Sequence, residues 1–389
     1  MAFRPVAVQA CTDYEEETVR RSMDQLLGQM DALNFVKPGM TIAIKVNLIS
    51  AMKPEDAATT HPALVKDLCR RISEKGAKAI VGDSPGGVFS AAVLRPVYQK
   101  SGLTAVTEAG GTLNDNFGVK ETFDPDLKIL NSFPYTSWLD EADAIINFCK
   151  LKTHAMMGMT CAVKNMFGTI PGTAKAECHM RFANEEQFAD MLIDLNEHFK
   201  PSLYIVDAVD GMEGNGPTAG TPRHIGCLLA GRSPYEVDAV CADIIGMGPD
   251  RVPTLRMAIA RGLGPESGSE VSILGDPPSL FRIPDFNISS SHMDIHFGSD
   301  SARGKIYSAF LKATMSTRPQ VHSDLCIGCG KCADVCPAHA ITMKNDLPSI
   351  NRDICIRCFC CQEFCPKGAM RVHRSLPGRV IQSFSYRKS

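Results

Sequence analysis

The sequence has no run approaching the 18 or more consecutive apolar residues of a membrane-spanning helix, so a protein that is soluble, or at most peripheral, is expected. Nor is there a surplus of either charge: 41 Lys and Arg stand against 43 Asp and Glu, a formal net charge of -2 over 389 residues. That balance argues against a bulk nucleic-acid binder. Only the stretch from Arg371 to Lys388 has several basic residues without an acid, and it reads as a solvated tail. A secretory leader is not expected either, because the run Val6 to Ala10 is too short for its apolar core and Glu15, Glu16 and Glu17 follow at once. Neither the P-loop nor the GxGxxG spacing occurs at the glycine-rich loop GDSPGG, and no flavin, haem or nicotinamide motif can be read.

Cysteine, in contrast, is abundant: there are sixteen. Seven of them (Cys11, Cys69, Cys149, Cys161, Cys178, Cys227 and Cys241) are scattered without a CxxC pair, which suits reduced, buried thiols and a cytoplasmic location. The other nine lie between Cys326 and Cys365, in the repeat CIGCGKCADVCP and CIRCFCCQEFCP. Each half has the spacing C-x2-C-x2-C-x3-C-P. Three thiolates on one tight loop reach three iron corners of a cubane, and the fourth Cys of each run ligates the other cluster, as in bacterial two-cluster ferredoxins. Two [4Fe-4S] clusters are therefore expected. Cys326, Cys329, Cys332 and Cys365 would hold one, and Cys355, Cys358, Cys361 and Cys336 the other. Gly328 and Gly330 leave room for backbone amides near the sulfurs, whereas Arg357 and Phe359 replace small residues in the second loop, so unequal clusters are expected. Zinc is the competing metal for CxxC pairs, but two complete copies with CP endings favour iron and sulfide. Cys360 is outside the spacing and reads as a packing residue.

Before these cysteines the chain repeats a short apolar, β-branched run, a loop and an amphipathic helix, the pattern of a parallel sheet covered by helices. Strands are predicted at 40–48, 77–82, 142–148, 203–206 and 225–230, and helices at 15–33, 62–75, 89–100, 185–199 and 236–246. The expected fold class is α/β, a mostly parallel sheet with covering helices, plus a small α+β ferredoxin-like C-terminal domain. The boundaries read as 1–275 for the α/β domain, 276–320 for a connector with one helix near 306–314, 321–373 for the ferredoxin-like unit and 374–389 for the basic tail.

In open parallel sheets, ligands bind where the carboxyl ends of the strands feed their loops. The unusual polar residues fall there: Lys45 and Asn47, then Thr60-His61-Pro62 at a helix start, then Gly82-Asp83-Ser84-Pro85-Gly86-Gly87. Lys150, Lys152, Thr153 and His154 follow the third strand, and Asp207, Asp210 and Glu213 the fourth. Lys164 and Asn165 stand in an apolar helical setting, where a lysine either snorkels or faces an anion. Each residue alone has a structural explanation: an ion pair for Lys45, a helix cap for His61, a turn for Asp83. Together, several Lys, one or two His and a set of Asp suit an anionic substrate. GDSPGG offers backbone N–H groups to a phosphate, and the three acids of the fourth loop offer a divalent metal site.

The segments KVNLIS, GDSPGG, KLKTH, CAVKNMFGTIPG and VDAVDGMEGNGP together resemble the domain of unknown function 362 family, often fused to a C-terminal ferredoxin. The resemblance spans nearly all of the first 275 residues, and KLKTH followed closely by AVKNMFG is its most specific part. It implies an iron-sulfur protein of bacteria or archaea, often anaerobic, and supplies no reaction. The positions it carries over are Lys45, Asn47, Asp83, Lys152, His154, Lys164, Asn165 and Asp207.

These readings combine into an expected iron-sulfur oxidoreductase. A soluble donor such as ferredoxin or flavodoxin would load the clusters, and a small anionic substrate or cofactor in the α/β domain would receive the electrons. Lys45, Asp83, Lys152, His154, Lys164 and Asp207 are the candidate catalytic residues. Gly82, Ser84, Gly86, Gly87, Asn47 and Asn165 are the candidate binding residues. Two alternatives stand beside this reading: a non-catalytic electron-transfer or redox-sensing adaptor, and a lyase or ligase whose clusters are structural. The adaptor predicts a shallow, open sheet edge and the oxidoreductase an enclosed pocket. Homo-oligomerisation is open.

Overall fold

The computed structural model describes residues 3–288 and 318–373. The expected helix near 306–314, the Ser289 to Ser291 run and the basic tail lie outside the described residues.

The strands in chain order are β1 (Val6–Ala10), β2 (Thr41–Lys45), β3 (Lys78–Gly82), β4 (Gly111–Leu113), β5 (Val119–Phe123), β6 (Ser132–Thr136), β7 (Ala144–His154), β8 (Gly158–Thr160), β9 (Leu203–Glu213), β10 (Thr221–Gly231) and β11 (Ile273–Gly275). All but the β5–β6 hairpin join one nine-stranded sheet in the order β11-β1-β10-β9-β7-β2-β3-β4, with β8 beside β7. The half containing β9, β7, β2, β3 and β4 is parallel throughout. β10 runs antiparallel to both β9 and β1. The connection 214–220 is too short for the crossover that parallel neighbours need, so β9 and β10 pair antiparallel.

The helices that pack on this sheet are α1 (Glu16–Gly28), α2 (Pro62–Glu74), α3 (Ala91–Lys100), α4 (Ala162–Asn165), α5 (Ala174–Arg181), α6 (Glu185–Phe199), α7 (Pro234–Ile244) and α8 (Pro253–Ala260). α2 shows why the sequence folds as it does. Pro62 starts it, the His61 ring accepts from Ala63 N at 3.3 Å as the cap, and Leu64, Val65, Leu68 and Ile72 form one fully buried face. Burial of each such side chain stabilises by about 1.5–3 kcal/mol.

Two strands run well past their expected ends. β7 continues through KLKTH to His154, and β9 continues to Glu213. The polar residues that read as loop are strand residues whose side chains find partners inside the protein; Lys150 and Asp207 face each other across β7 and β9. The Val6–Ala10 run is an internal strand between β10 and β11. The start of the 276–320 connector lies against the core through Phe281, Phe286 and Ile288.

The C-terminal unit contains two antiparallel pairs, Arg318–Val321 with Met370–His373 and Ile341–Lys344 with Leu347–Ile350, and two helical turns, Lys331–Asp334 and Cys360–Glu363. The sequence repeat is repeated in the backbone. Gly328 and Gly330 take φ of 68° and 74°, and Arg357 and Phe359 take 58° and 60° at the equivalent positions. The glycines of the first loop thus meet a left-handed backbone requirement, which the second loop meets with bulky residues at a cost of about 1–2 kcal/mol each. At Phe359 burial offsets this: the ring is 1% exposed and belongs to the apolar cluster of Val163, Met166, Phe167 and Phe188 in the α/β domain. The second cysteine loop is anchored there.

Candidate functional site

A cavity of about 320 Å³ lies beyond the carboxyl ends of β2, β3 and β7. Asn47, Asp83, Ser84, Gly86 and Gly87 form one side, Lys152 and Thr160 the floor, and Lys164, Asn165, Lys175 and His179 from α4 and α5 another side. The remaining wall comes from the ferredoxin-like unit through Asp334, Cys360, Glu363 and Phe364. The site is therefore a half-open cavity between two modules, neither fully enclosed nor a flat sheet edge.

Under the cavity runs a chain of buried polar groups. Lys45 Nζ pairs with Asp83 Oδ1 at 2.8 Å and donates to Val46 O at 2.7 Å and to Asn165 Oδ1 at 3.2 Å. Asn47 Nδ2 donates to the same Asn165 oxygen at 3.0 Å, and Lys152 Nζ donates to Asn47 Oδ1 at 2.7 Å and Ala58 O at 2.6 Å. The Asp83 carboxylate also accepts from Leu48 N and Ser84 N, both at 2.8 Å. Gly168 covers the pair so closely that a Cβ there would lie 1.9 Å from Asp83 Oδ1. Burial lowers the Lys45 pKa and the Asp83 charge opposes it.

Burial pulls Lys152 down to about 7, and the Lys164 charge pushes in the same direction. Lys175, which donates to Ser84 O, is brought by burial to about 8. Lys164 is likewise lowered by burial, against Glu363. Its ammonium lies 5.8 Å from the Phe167 ring, and among the described residues no carboxylate pairs with it. Three buried polar atoms on the wall, Ser84 Oγ, Thr160 Oγ1 and His179 Nδ1, have no hydrogen-bond partner. Such groups are rare in protein interiors and mark places where water or a ligand completes the bonding.

His154 does not have the freedom of a proton shuttle. Its Nδ1 accepts from Met156 N and Met157 N, both at 3.1 Å, so Nε2 carries the proton and donates it to Glu363 Oε1 at 2.5 Å. Burial holds the imidazole at about 4, and Glu363, despite a burial effect that raises it, is held at about 2 by His154 and Lys164. This contact latches the ferredoxin-like unit to the end of β7. The loop 214–220 completes the seat: Gln362 Nε2 donates to Asn215 O at 2.9 Å and Gly216 O at 2.8 Å, and Thr218 Oγ1 to Glu363 O at 3.0 Å.

Several expected site residues are elsewhere. Asp207 is fully buried away from the cavity, accepting from Tyr14 OH at 3.0 Å, Lys150 Nζ at 2.9 Å and His61 N at 2.9 Å, with the Tyr14 and His61 rings stacked 3.5 Å apart. Asp210 pairs with His224, and Glu213 accepts from Asn287 N. Spread along β9 with separate partners, these acids do not converge as a divalent metal site. Gly82 is packed against Asn114 and Trp138. The glycine-rich loop is also not the start of a helix, since α3 begins after Ser90. Its Gly86 instead receives the Phe364 ring, which would lie 1.7 Å from a Cβ on that residue. Gly86→Val is accordingly expected to unseat the C-terminal unit while leaving the α/β core folded. Amide hydrogen exchange in Cys360–Glu363 should accelerate about tenfold or more; an unchanged rate would count against the contact.

The cysteines form two groups. Cys326, Cys329, Cys332 and Cys365 line one small cavity. Cys336 lies instead with Cys355, Cys358 and Cys361, near enough for the thiols to sense one another's charge. Backbone amides approach both crossing sulfurs at the same offset, Ala340 N to Cys336 Sγ at 3.2 Å and Ala369 N to Cys365 Sγ at 3.1 Å. N–H groups directed at sulfur, and thiols grouped by four, fit an iron-sulfur cluster. All sixteen cysteines are free of disulfides.

Two family models match parts of the chain. The model "Domain of unknown function (DUF362)" matches residues 42–243, and a 4Fe-4S binding domain matches 319–342, the span of the first cysteine loop. The chain belongs to the DUF362 family. This DUF362 protein is 31% identical over 305 residues to the "Thylakoid-associated protein sll1697" of Synechocystis sp., covering 76% of this chain and 91% of the relative. Among solved structures it is similar to the lactate racemase apoprotein from Thermoanaerobacterium thermosaccharolyticum, at 12% identity and TM-score 0.41, over 64% of this chain and 58% of that one. A Thermotoga maritima protein matches at 11% identity and TM-score 0.33, over 58% and 56% of the two chains. Among the described residues no helix is long and apolar enough to cross a membrane.

Lys175, His179, Glu363 and Phe364 are site residues that the sequence reading missed. Lys175 and His179 stand four apart on α5 and so share a face, a signal that was available. For Glu363 and Phe364 there was none, since only docking of the second module brings them to the cavity.

Proposed function

We propose that this protein is an iron-sulfur oxidoreductase in which two [4Fe-4S] clusters relay electrons from a soluble ferredoxin- or flavodoxin-type donor to a small anion held in the intermodule cavity. One observation carries this reading: Cys360 and Glu363, in the turn between cluster ligands Cys358 and Cys365, are themselves cavity wall, opposite Lys164 and Lys175. The clusters supply electrons one at a time. Lys164 and Lys175 hold the anion, with Ser84 and Thr160 as hydrogen-bonding groups. Lys152, poised near neutrality, supplies the proton that accompanies reduction. Lys45, Asp83, Asn47 and Asn165 hold Lys152 in place, and His154 keeps the modules closed. Asp207 ties the middle of β9 to Lys150 of β7, outside the cavity. A reducing, cytoplasmic setting suits the unpaired thiols.

The test is anaerobic purification with iron and sulfide counting, followed by dithionite reduction and a screen of small carboxylates and phosphates for reoxidation of the visible chromophore. The reading predicts reoxidation by at least one anion and its loss in Lys164→Ala. Reoxidation that ignores Lys164 would sink it. The pH dependence has a definite sign. Lys152 is cationic below about 7 and neutral above, so anion affinity and proton supply both fall as pH rises through that value. Reoxidation should slow about tenfold per pH unit above it, and Lys152→Met should be slow and flat across the same range; a native profile without the break would remove Lys152 from the role.

A further inference from the structure

His179 from α5 meets Cys358 and Cys360 at the cavity wall. One donor atom from each lies within 4.8 Å of the other two, and all three residues are buried. The imidazole is fixed by stacking on Phe188, with centroids 4.5 Å apart, and by the Phe167 ring at 5.7 Å. Its Nδ1 has no hydrogen-bond partner. Leaving such a nitrogen unsatisfied costs about 1–3 kcal/mol, while the stacking prevents it from turning toward water. Cys360 is the cysteine that the cluster spacing does not use.

We infer that His179, Cys360 and Cys358 form a mononuclear site for a zinc-class divalent ion, the Cys358 thiolate being shared between that ion and a cluster iron. Donors 2.0–2.3 Å from a tetrahedral ion are about 3.3–3.8 Å apart, so three atoms already within 4.8 Å need only small side-chain rotations. Thiolate and imidazole select a zinc-class ion over magnesium or calcium. Three protein ligands leave one position open, the arrangement of catalytic rather than structural zinc. Cys360 and His179 both line the cavity beside Lys164 and Lys175. Two thiolates offset the ion's double charge, so the lysines remain available to draw an anionic oxygen into the open position. This last step rests on the proposed anion cavity; the metal site itself does not.

The experiment uses the full chain with its clusters, purified anaerobically, given one equivalent of zinc sulfate, desalted and counted for zinc, iron and sulfide. The expected result is about one zinc per chain, retained at least tenfold less tightly by His179→Ala and by Cys360→Ser, with iron and sulfide unchanged. X-ray absorption at the zinc edge of the native chain, which needs no variant to fold, should show two sulfur neighbours and one nitrogen. Failure of the native chain to retain zinc, equal retention by the variants, or loss of iron and sulfide from Cys360→Ser would each overturn the site. Reoxidation by anions is read separately, so the electron-transfer proposal can survive the loss of this one.

Discussion

Cys336→Ser is expected to remove about four of eight iron atoms, and to take them from the loop that Cys336 does not belong to. In the proposed two-cluster assignment Cys336 completes the set begun by Cys355, Cys358 and Cys361, beside which its sulfur lies. Combining variants separates this from simple instability. Cys336→Ser with Cys358→Ser strikes one set twice and should lose no more iron than either alone. Cys336→Ser with Cys329→Ser strikes both sets and should lose nearly all. The reverse order, with nearly all iron lost from Cys336→Ser with Cys358→Ser and about half kept by Cys336→Ser with Cys329→Ser, would show that the crossing ligation is wrong, and equal contents would mean that instability alone causes the loss.

The second large effect is expected at Lys45. Lys45→Met leaves the Asp83 carboxylate buried without its cation, and removing one partner of such a pair costs about 3–5 kcal/mol. The two backbone amides that Asp83 accepts from remain but do not replace the charge. Lys45→Met combined with Asp83→Asn removes both charges and should recover more than half of the loss. Urea unfolding of each variant reads this directly, provided cluster content is matched. A single-variant loss below about 1 kcal/mol, the range of exposed pairs, would mean that water reaches the pair.

How much of this could be read beforehand depended on whether the information was local. The helix face of Leu64, Val65, Leu68 and Ile72 is periodic, and the helix formed where the period placed it. The cysteine loops have the spacing that a cubane requires, and both repeats adopt the same backbone turns. KLKTH and DAVDGME misled because polarity was taken as exposure. Lys150 and Asp207, on neighbouring strands, supply each other's partner, and both strands therefore continue. Lys152 and Lys164 reach one cavity for a reason visible in sequence, the loop rule for parallel sheets. His154 was legible as a special residue but not as a latch, because Glu363 is 209 positions away. Cys360 could be recognised as surplus to the spacing, but not as a neighbour of His179.

The seating of Phe359 bears on how the protein is assembled. The first loop keeps Cys329 exposed and Ile327 60% exposed, whereas Cys358 and Cys361 are 8% and 6% exposed behind a ring that is itself 1% exposed. Cys355 of the second loop is only half-buried, so an iron donor meets one thiol of that loop near the surface and two behind the ring. Filling of that inner pair is favoured before the small unit closes on the large domain, after which the His154 contact covers it.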